Sequence, residues 1–91
     1  GGYNIFPREI EDVLNRHPDV LEAAVIGVDD SALGEVPKAF VALAPGKKVE
    51  IKDLEAFCQE NLAKYKVPRM FSMMDELPKN TTGKILKKEL K

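Results

Sequence analysis

The sequence predicts an α+β domain: a small, mostly antiparallel sheet of about three strands with helices packed on it. Two observations carry this. Apolar residues recur at i, i+3, i+4 in segments that begin after Pro7 and Ile51. Short apolar, β-branched runs separate those segments, in the order α-β-β-α-β-α. The 91 residues suffice for one domain that buries roughly 60–65% of its unfolded surface.

Each element has a local cause. Pro7 suits a first helical position, and Ile10, Val13 and Leu14 follow on one face. Ile5 and Ile10 occupy the positions of a hydrophobic staple. His17-Pro18 ends this helix, because a proline disfavours α geometry in the residue before it. "EAAVIGV" (22–28) reads as a buried strand and "DDSALGE" (29–35) as a turn. "VPKAFVALA" (36–44) carries Ala39, Val41 and Leu43 on one face and Phe40 and Ala42 on the other, so it predicts a central strand covered on both sides. "PGKK" (45–48) turns the chain into a helix over 51–63, whose apolar face holds Ile51, Leu54, Phe57, Cys58 and Leu62. "KYKVPR" (64–69) leaves that helix and "MFSMM" (70–74) is the third strand. "DELPKNTTGK" reads as an irregular loop anchored mainly by Leu77, and Ile85, Leu86 and Leu90 as a short terminal helix docked loosely at its end.

Composition narrows the function classes. At 44% hydrophobic and 32% charged the chain is globular rather than disordered. No transmembrane segment or leader is expected, and peripheral membrane contact stays open. One cysteine cannot make an internal disulfide, which points to a reducing, cytoplasmic setting. Asn80-Thr81-Thr82 fits the glycosylation sequon and is read as chance. The net charge of −1 argues against nucleic acid as a partner. Charge is uneven, however: residues 64–91 hold eight basic residues against three acidic ones, so a basic end sits on an acidic body.

Most candidate chemistry has a plain structural reading. Cys58 lies on an apolar helix face as a small core residue. His17 has no second metal-type ligand near it, so no metal site is expected, and it suits the C-terminal end of the first helix. Glu9, Glu11 and Asp12 form a solvated face near a helix start, and Met70, Met73 and Met74 fill core space. Two features stand apart. "GGYNI" puts Gly1 and Gly2 before Tyr3, where a backbone without side chains lets a thin ligand approach. "PKNTTGKIL" (78–86) presents Lys84 on a loop, but it is no P-loop: Pro78 stands where the first glycine belongs and Ile85 where the magnesium hydroxyl belongs.

"GGYNIFPREIEDVL", "GEVPKAFVAL", "LAKYKVPR" and "LPKNTTGKILKKEL" occur in this order over the whole chain. Together they closely resemble the small C-terminal domain of the adenylate-forming superfamily: acyl-CoA synthetases, peptide-synthetase adenylation domains and firefly luciferase. The first motif looks most like bacterial or archaeal long-chain fatty-acid CoA ligases.

The resemblance implies a mobile lid, residues 1–91, of a two-step ligase with ATP, a fatty acid and coenzyme A as substrates. A carboxylate and ATP give an acyl-adenylate and pyrophosphate; coenzyme A then displaces AMP. By resemblance Lys84 serves the first step, on a loop supported by Pro78, Thr82 and Gly83. Gly2, with Gly1 and Tyr3, lines the pantetheine tunnel in the second, and Tyr65 and Lys66 lie near the coenzyme A nucleotide. Where some members place an arginine near coenzyme A, this chain has Leu33. The hinge, the large N-terminal partner domain, its acyl pocket and its Mg²⁺ are expected outside these residues. The alternatives are a lid for another acid (aryl, amino or short-chain) and a free-standing α+β binding module.

Overall fold

The computed structural model describes residues 5–91; the expected tunnel residues Gly1, Gly2 and Tyr3 lie outside that range. Helix α1 (Pro7–Asn15) leads into β1 (Val20–Asp30) and β2 (Gly34–Leu43), then α2 (Ile51–Asn61) and β3 (Met70–Met74). Short 3₁₀ turns occupy Lys64–Lys66 and Lys87–Glu89. The sheet order is β1-β2-β3, with β1 and β2 antiparallel and β2 and β3 parallel. The α+β expectation holds, and the long ladder is the antiparallel one. The short β3 joins parallel because α2 carries the chain back across the sheet, the crossover that a parallel pair requires.

β2 is central, as its two-sided apolar pattern predicts. Ala39 and Val41 pack with Ala23 and Val25 of β1 against Ile10, Val13 and Leu14 of α1 and Leu54 and Cys58 of α2. The alternate residues Ala24, Phe40 and Ala42 form a second cluster with Leu77 and Leu90. Both helices therefore cover one sheet face, and the loop after β3 and the chain end cover the other. The β1–β2 turn is tighter than the sequence suggests. Asp30 accepts N–H bonds from Ala32 and Leu33 at 2.8 and 2.9 Å, and Gly34 follows at φ 84°. These bonds hold the Asp30 carboxyl below its usual pKa range.

Several sequence expectations need correction. The terminal helix is a single 3₁₀ turn, because Ile85 is drawn into an extended bridge with Lys79 and too few residues remain to nucleate an α-helix. Its end is not loosely docked: Leu90 is 5% exposed in the second cluster. His17 does not cap α1 with its ring; Nδ1 accepts the Asp19 N–H at 3.0 Å and the ring stands edge-on to Phe57. Met70 and Met73 are exposed because β3 is an edge strand, and only Met74 packs on a cluster. Cys58 is the core residue expected; burial, with Glu55 nearby, pushes its thiol up to about 11.

Candidate functional site: a lysine hairpin and an aromatic groove

The segment around Lys84 is a tight hairpin rather than an irregular loop. Lys79 and Ile85 form an antiparallel bridge, and Leu86 N–H reaches Pro78 O at 2.8 Å. Inside it, Asn80 N–H donates to Lys84 O at 2.9 Å and Gly83 N–H to Asn80 O at 3.0 Å. Gly83 has φ 88°, a left-handed conformation that glycine adopts without the strain a Cβ brings. The Asn80 side-chain oxygen accepts the Thr82 N–H (3.0 Å), the Thr82 hydroxyl (2.7 Å) and the Lys84 N–H (2.9 Å).

Two carboxylates from other elements hold the hairpin to the body. Glu22 on β1 accepts the Leu77 N–H at 3.1 Å and the Lys79 ammonium at 2.8 Å. The hydrogen bond to Glu22 raises the Lys79 pKa against partial desolvation. Glu11 on α1 accepts the Val25 N–H at 2.8 Å, a donor on the open edge of β1, and pairs with Lys87 at 2.7 Å. Glu11 is thus no solvated helix face, as its sequence position suggested; its side chain is 14% exposed. Leu77, 1% exposed, supplies the apolar anchor.

Lys84 stands apart from this network. Its side chain is exposed and, among the described residues, makes no hydrogen bond or ion pair. It lines a cleft of about 630 Å³ with Pro7 and Arg8 from the start of α1, Ala24 of β1, and Gly83 and Lys87.

A second concavity, about 370 Å³, lies between the β1–β2 turn and the 64–69 segment. Ile5, Leu33, Glu35, Lys64, Tyr65 and Arg69 line it. The Arg69 N–H donates to Pro37 O at 3.1 Å, which seats this segment beside β2. Tyr65 is 50% exposed and meets Phe6 edge-on at 6.4 Å. Lys66 does not line the groove: its ammonium bonds Glu9 at 2.9 Å and lies 4.5 Å from the centre of the Phe6 ring and 5.6 Å from that of Tyr65. The hydrogen bond to Glu9 raises its pKa. The structure thus gathers Pro78, Thr82, Gly83 and Lys84 in one hairpin and puts Tyr65 beside Leu33, but leaves Lys66 off the groove.

Sequence reading missed Asn80, Glu22, Lys64 and Arg69. The "KYKVPR" motif contains the last two, yet only the β2–β3 pairing shows that they face the turn at Leu33. Among the described residues no cluster of three or more His, Cys, Asp or Glu is placed to hold a metal, and no helix is long and apolar enough to cross a membrane.

Comparison with known proteins gives these features a family. The 2-succinylbenzoate–CoA ligase of Geobacillus kaustophilus is 52% identical over 91 residues, all of this chain and 19% of that protein. The long-chain-fatty-acid–CoA ligase of Bacillus subtilis is 49% identical over 90 residues, 99% of this chain and 16% of that protein. Among solved structures, the o-succinylbenzoate CoA synthetase of Bacillus subtilis in complex with its acyl-adenylate intermediate superimposes with a TM-score of 0.89. It is 46% identical and covers all of this chain and 18% of that one. The same enzyme in complex with ATP and magnesium ion superimposes at 0.85, with 46% identity over 99% of this chain and 18% of that one. The chain thus spans less than a fifth of the length of these relatives. A profile of the AMP-binding enzyme C-terminal domain matches residues 9–84, and the chain belongs to that family.

Proposed function

We propose that the chain is the mobile C-terminal domain of an ATP-dependent acyl-CoA ligase that works in the cytoplasm, and that its two concave regions serve different half-reactions. In the first, a carboxylate oxygen bonds to the α-phosphorus of ATP and pyrophosphate leaves. Lys84 meets this step, its ammonium neutralising charge that builds on the carboxylate and phosphate oxygens. In the second, the coenzyme A sulfur bonds to the acyl carbon, AMP leaves and the thiol proton is released. Gly1, Gly2 and Tyr3 border the pantetheine path there, and the Tyr65 groove takes the nucleotide end, with Arg69 and Lys64 as its cations. Lys66, tied to Glu9, is the weaker contact.

The observation that carries this reading is the contrast around Lys84. Its neighbours Lys79 and Lys87 are paired to carboxylates, while Lys84, on the same braced hairpin, has no ion-pair partner among the described residues. Such a group has its charge available to an anion that the remainder of the enzyme would bring. The match to less than a fifth of each CoA ligase supports a domain of a larger enzyme over a free-standing module. Mg²⁺ and the acid would bind in the N-terminal partner domain.

For the acid, a fatty acid remains the leading reading, in line with the first motif and the Bacillus subtilis relative. The Geobacillus relative favours 2-succinylbenzoate as the second. Residues that contact the acid lie in the partner domain, so the test is direct. The full-length ligase, given ATP, coenzyme A and either palmitate or 2-succinylbenzoate, should form acyl-CoA, AMP and pyrophosphate with one of them. The 91-residue chain alone should form none. Turnover by the chain alone, or ADP and phosphate as products, would refute the reading.

A further inference from the structure

The exposed tip of the hairpin is built around a side chain that no catalytic reading uses. Asn80 Oδ1 takes two backbone N–H groups, from Thr82 and from Lys84 itself, at 3.0 and 2.9 Å. Both are obligatory donors, so the amide must turn its oxygen and not its nitrogen toward them. The Thr82 hydroxyl adds a third bond at 2.7 Å. The main chain of Asn80 closes the same ring from the other side, through Lys84 O and Gly83 N–H. Lys84 is therefore fixed at both its N–H and its C=O by one residue, while its side chain makes no hydrogen bond or ion pair among the described residues.

We propose that Asn80 is a positioning residue for Lys84: its side-chain oxygen fixes the backbone from which the ammonium extends, so that the four methylenes of Lys84 are the main freedom left. This inference rests on the adenylation role of Lys84 given above. The hairpin tip, residues 80–84, is solvent-exposed, and the apolar anchors Leu77, Ile85 and Leu90 pack outside it. The turn must then come from local hydrogen bonds, which Asn supplies by mimicking a backbone turn. Glu22 and Glu11 fasten the base of the hairpin, but neither bonds any residue between Asn80 and Lys84. With Asn80→Ala the Thr82 and Lys84 N–H groups turn to water and the tip gains conformations. A misplacement of about 1 Å at a reacting group costs roughly 10²-fold in rate.

The test pairs a structural readout with a kinetic one. In the 91-residue chain, amide exchange at Lys84 should be slowed by the Asn80 bond and should speed up about tenfold in Asn80→Ala. Asn80→Asp, which keeps an acceptor oxygen, should restore most of the protection. In the full-length ligase Asn80→Ala should slow carboxylate-dependent ATP–pyrophosphate exchange by about 10–10²-fold, and Asn80→Asp should recover most of it. Coenzyme A capture of supplied acyl-adenylate should be unchanged in both variants, which a merely destabilised domain would not show. Unchanged Lys84 exchange in Asn80→Ala, or normal adenylation by Asn80→Ala in an enzyme that Lys84→Ala disables, overturns the positioning role. Normal adenylation by Lys84→Ala itself removes the ligase role of Lys84 instead, so the two failures are told apart.

Discussion

The hairpin that carries Lys84 and the turn that carries Lys66 both border α1, yet they hold their lysines in opposite ways. Lys66 is folded back on Glu9 and the Phe6 ring. Lys84 is exposed on a hairpin whose other cations are spent on Glu22 and Glu11. Among the described residues, the basic end of the chain and its acidic body thus neutralise one another at three ion pairs, and one lysine of the hairpin is left over. A charge that stabilises the fold is already compensated; a charge held for a ligand has to be withheld from the fold. Local sequence does not separate the two kinds, since each lysine stands in a motif of the same family.

The comparison breaks most readily at Lys84 itself. In the full-length enzyme, Lys84→Ala should lower acyl-adenylate formation by about 10²–10³-fold, the usual cost of losing one well-placed electrostatic contact. Acylation of the Lys84 amine should act the same way, because it cancels the charge. Lys79→Ala and Lys66→Ala, which remove lysines already paired, should change it far less. An equal loss from all three would mean that charge in this region, and not the unpaired lysine, matters.

Next in size is the anchor below the hairpin. Leu77→Ala should destabilise the chain by about 2–4 kcal/mol, from lost burial and the cavity left among Phe40, Ala42 and Leu90. Denaturant unfolding would measure it, and a change under about 1 kcal/mol would show that the tail-side cluster is loosely packed. On the groove side, Tyr65→Ala should raise the KM for coenzyme A about tenfold, the scale of one base–aromatic stack. Its adenylation rate should stay normal.

The smallest effect is a titration. Bonds from Leu33 and Ala32 hold the Asp30 carboxyl below its usual range. Its folded pKa is depressed, so the turn gains stability above the ordinary carboxylate pKa and loses it as pH falls through the lower folded value. A carboxyl resonance titrating at or above the unfolded value would contradict the turn geometry.

Much of this was legible in the sequence, for physical reasons. Two-sided apolar alternation at Ala39–Ala42 marked the central strand, and Pro7 with its helical spacing marked α1. The grouping of Pro78, Thr82, Gly83 and Lys84 was readable because their motif is contiguous. The terminal helix was misjudged because the Lys79–Ile85 bridge overrode local propensity. Glu22 was not readable either: its partners Leu77 and Lys79 lie 55 and 57 positions away, so only the folded chain makes it a strut. Arg69 reached the groove through a parallel pairing that periodicity does not reveal.

The central claim is that the two regions belong to two half-reactions, and a crossed measurement in the full-length ligase tests it most directly. Carboxylate-dependent ATP–pyrophosphate exchange and coenzyme A capture of supplied acyl-adenylate would be followed separately in Lys84→Ala and in Gly2→Leu. Lys84→Ala should lose the first by about 10²–10³-fold and keep the second nearly whole. Gly2→Leu, which adds a side chain on the proposed pantetheine path, should lose the second and keep the first. Loss of the same half-reaction in both variants would contradict the division of labour between the two regions.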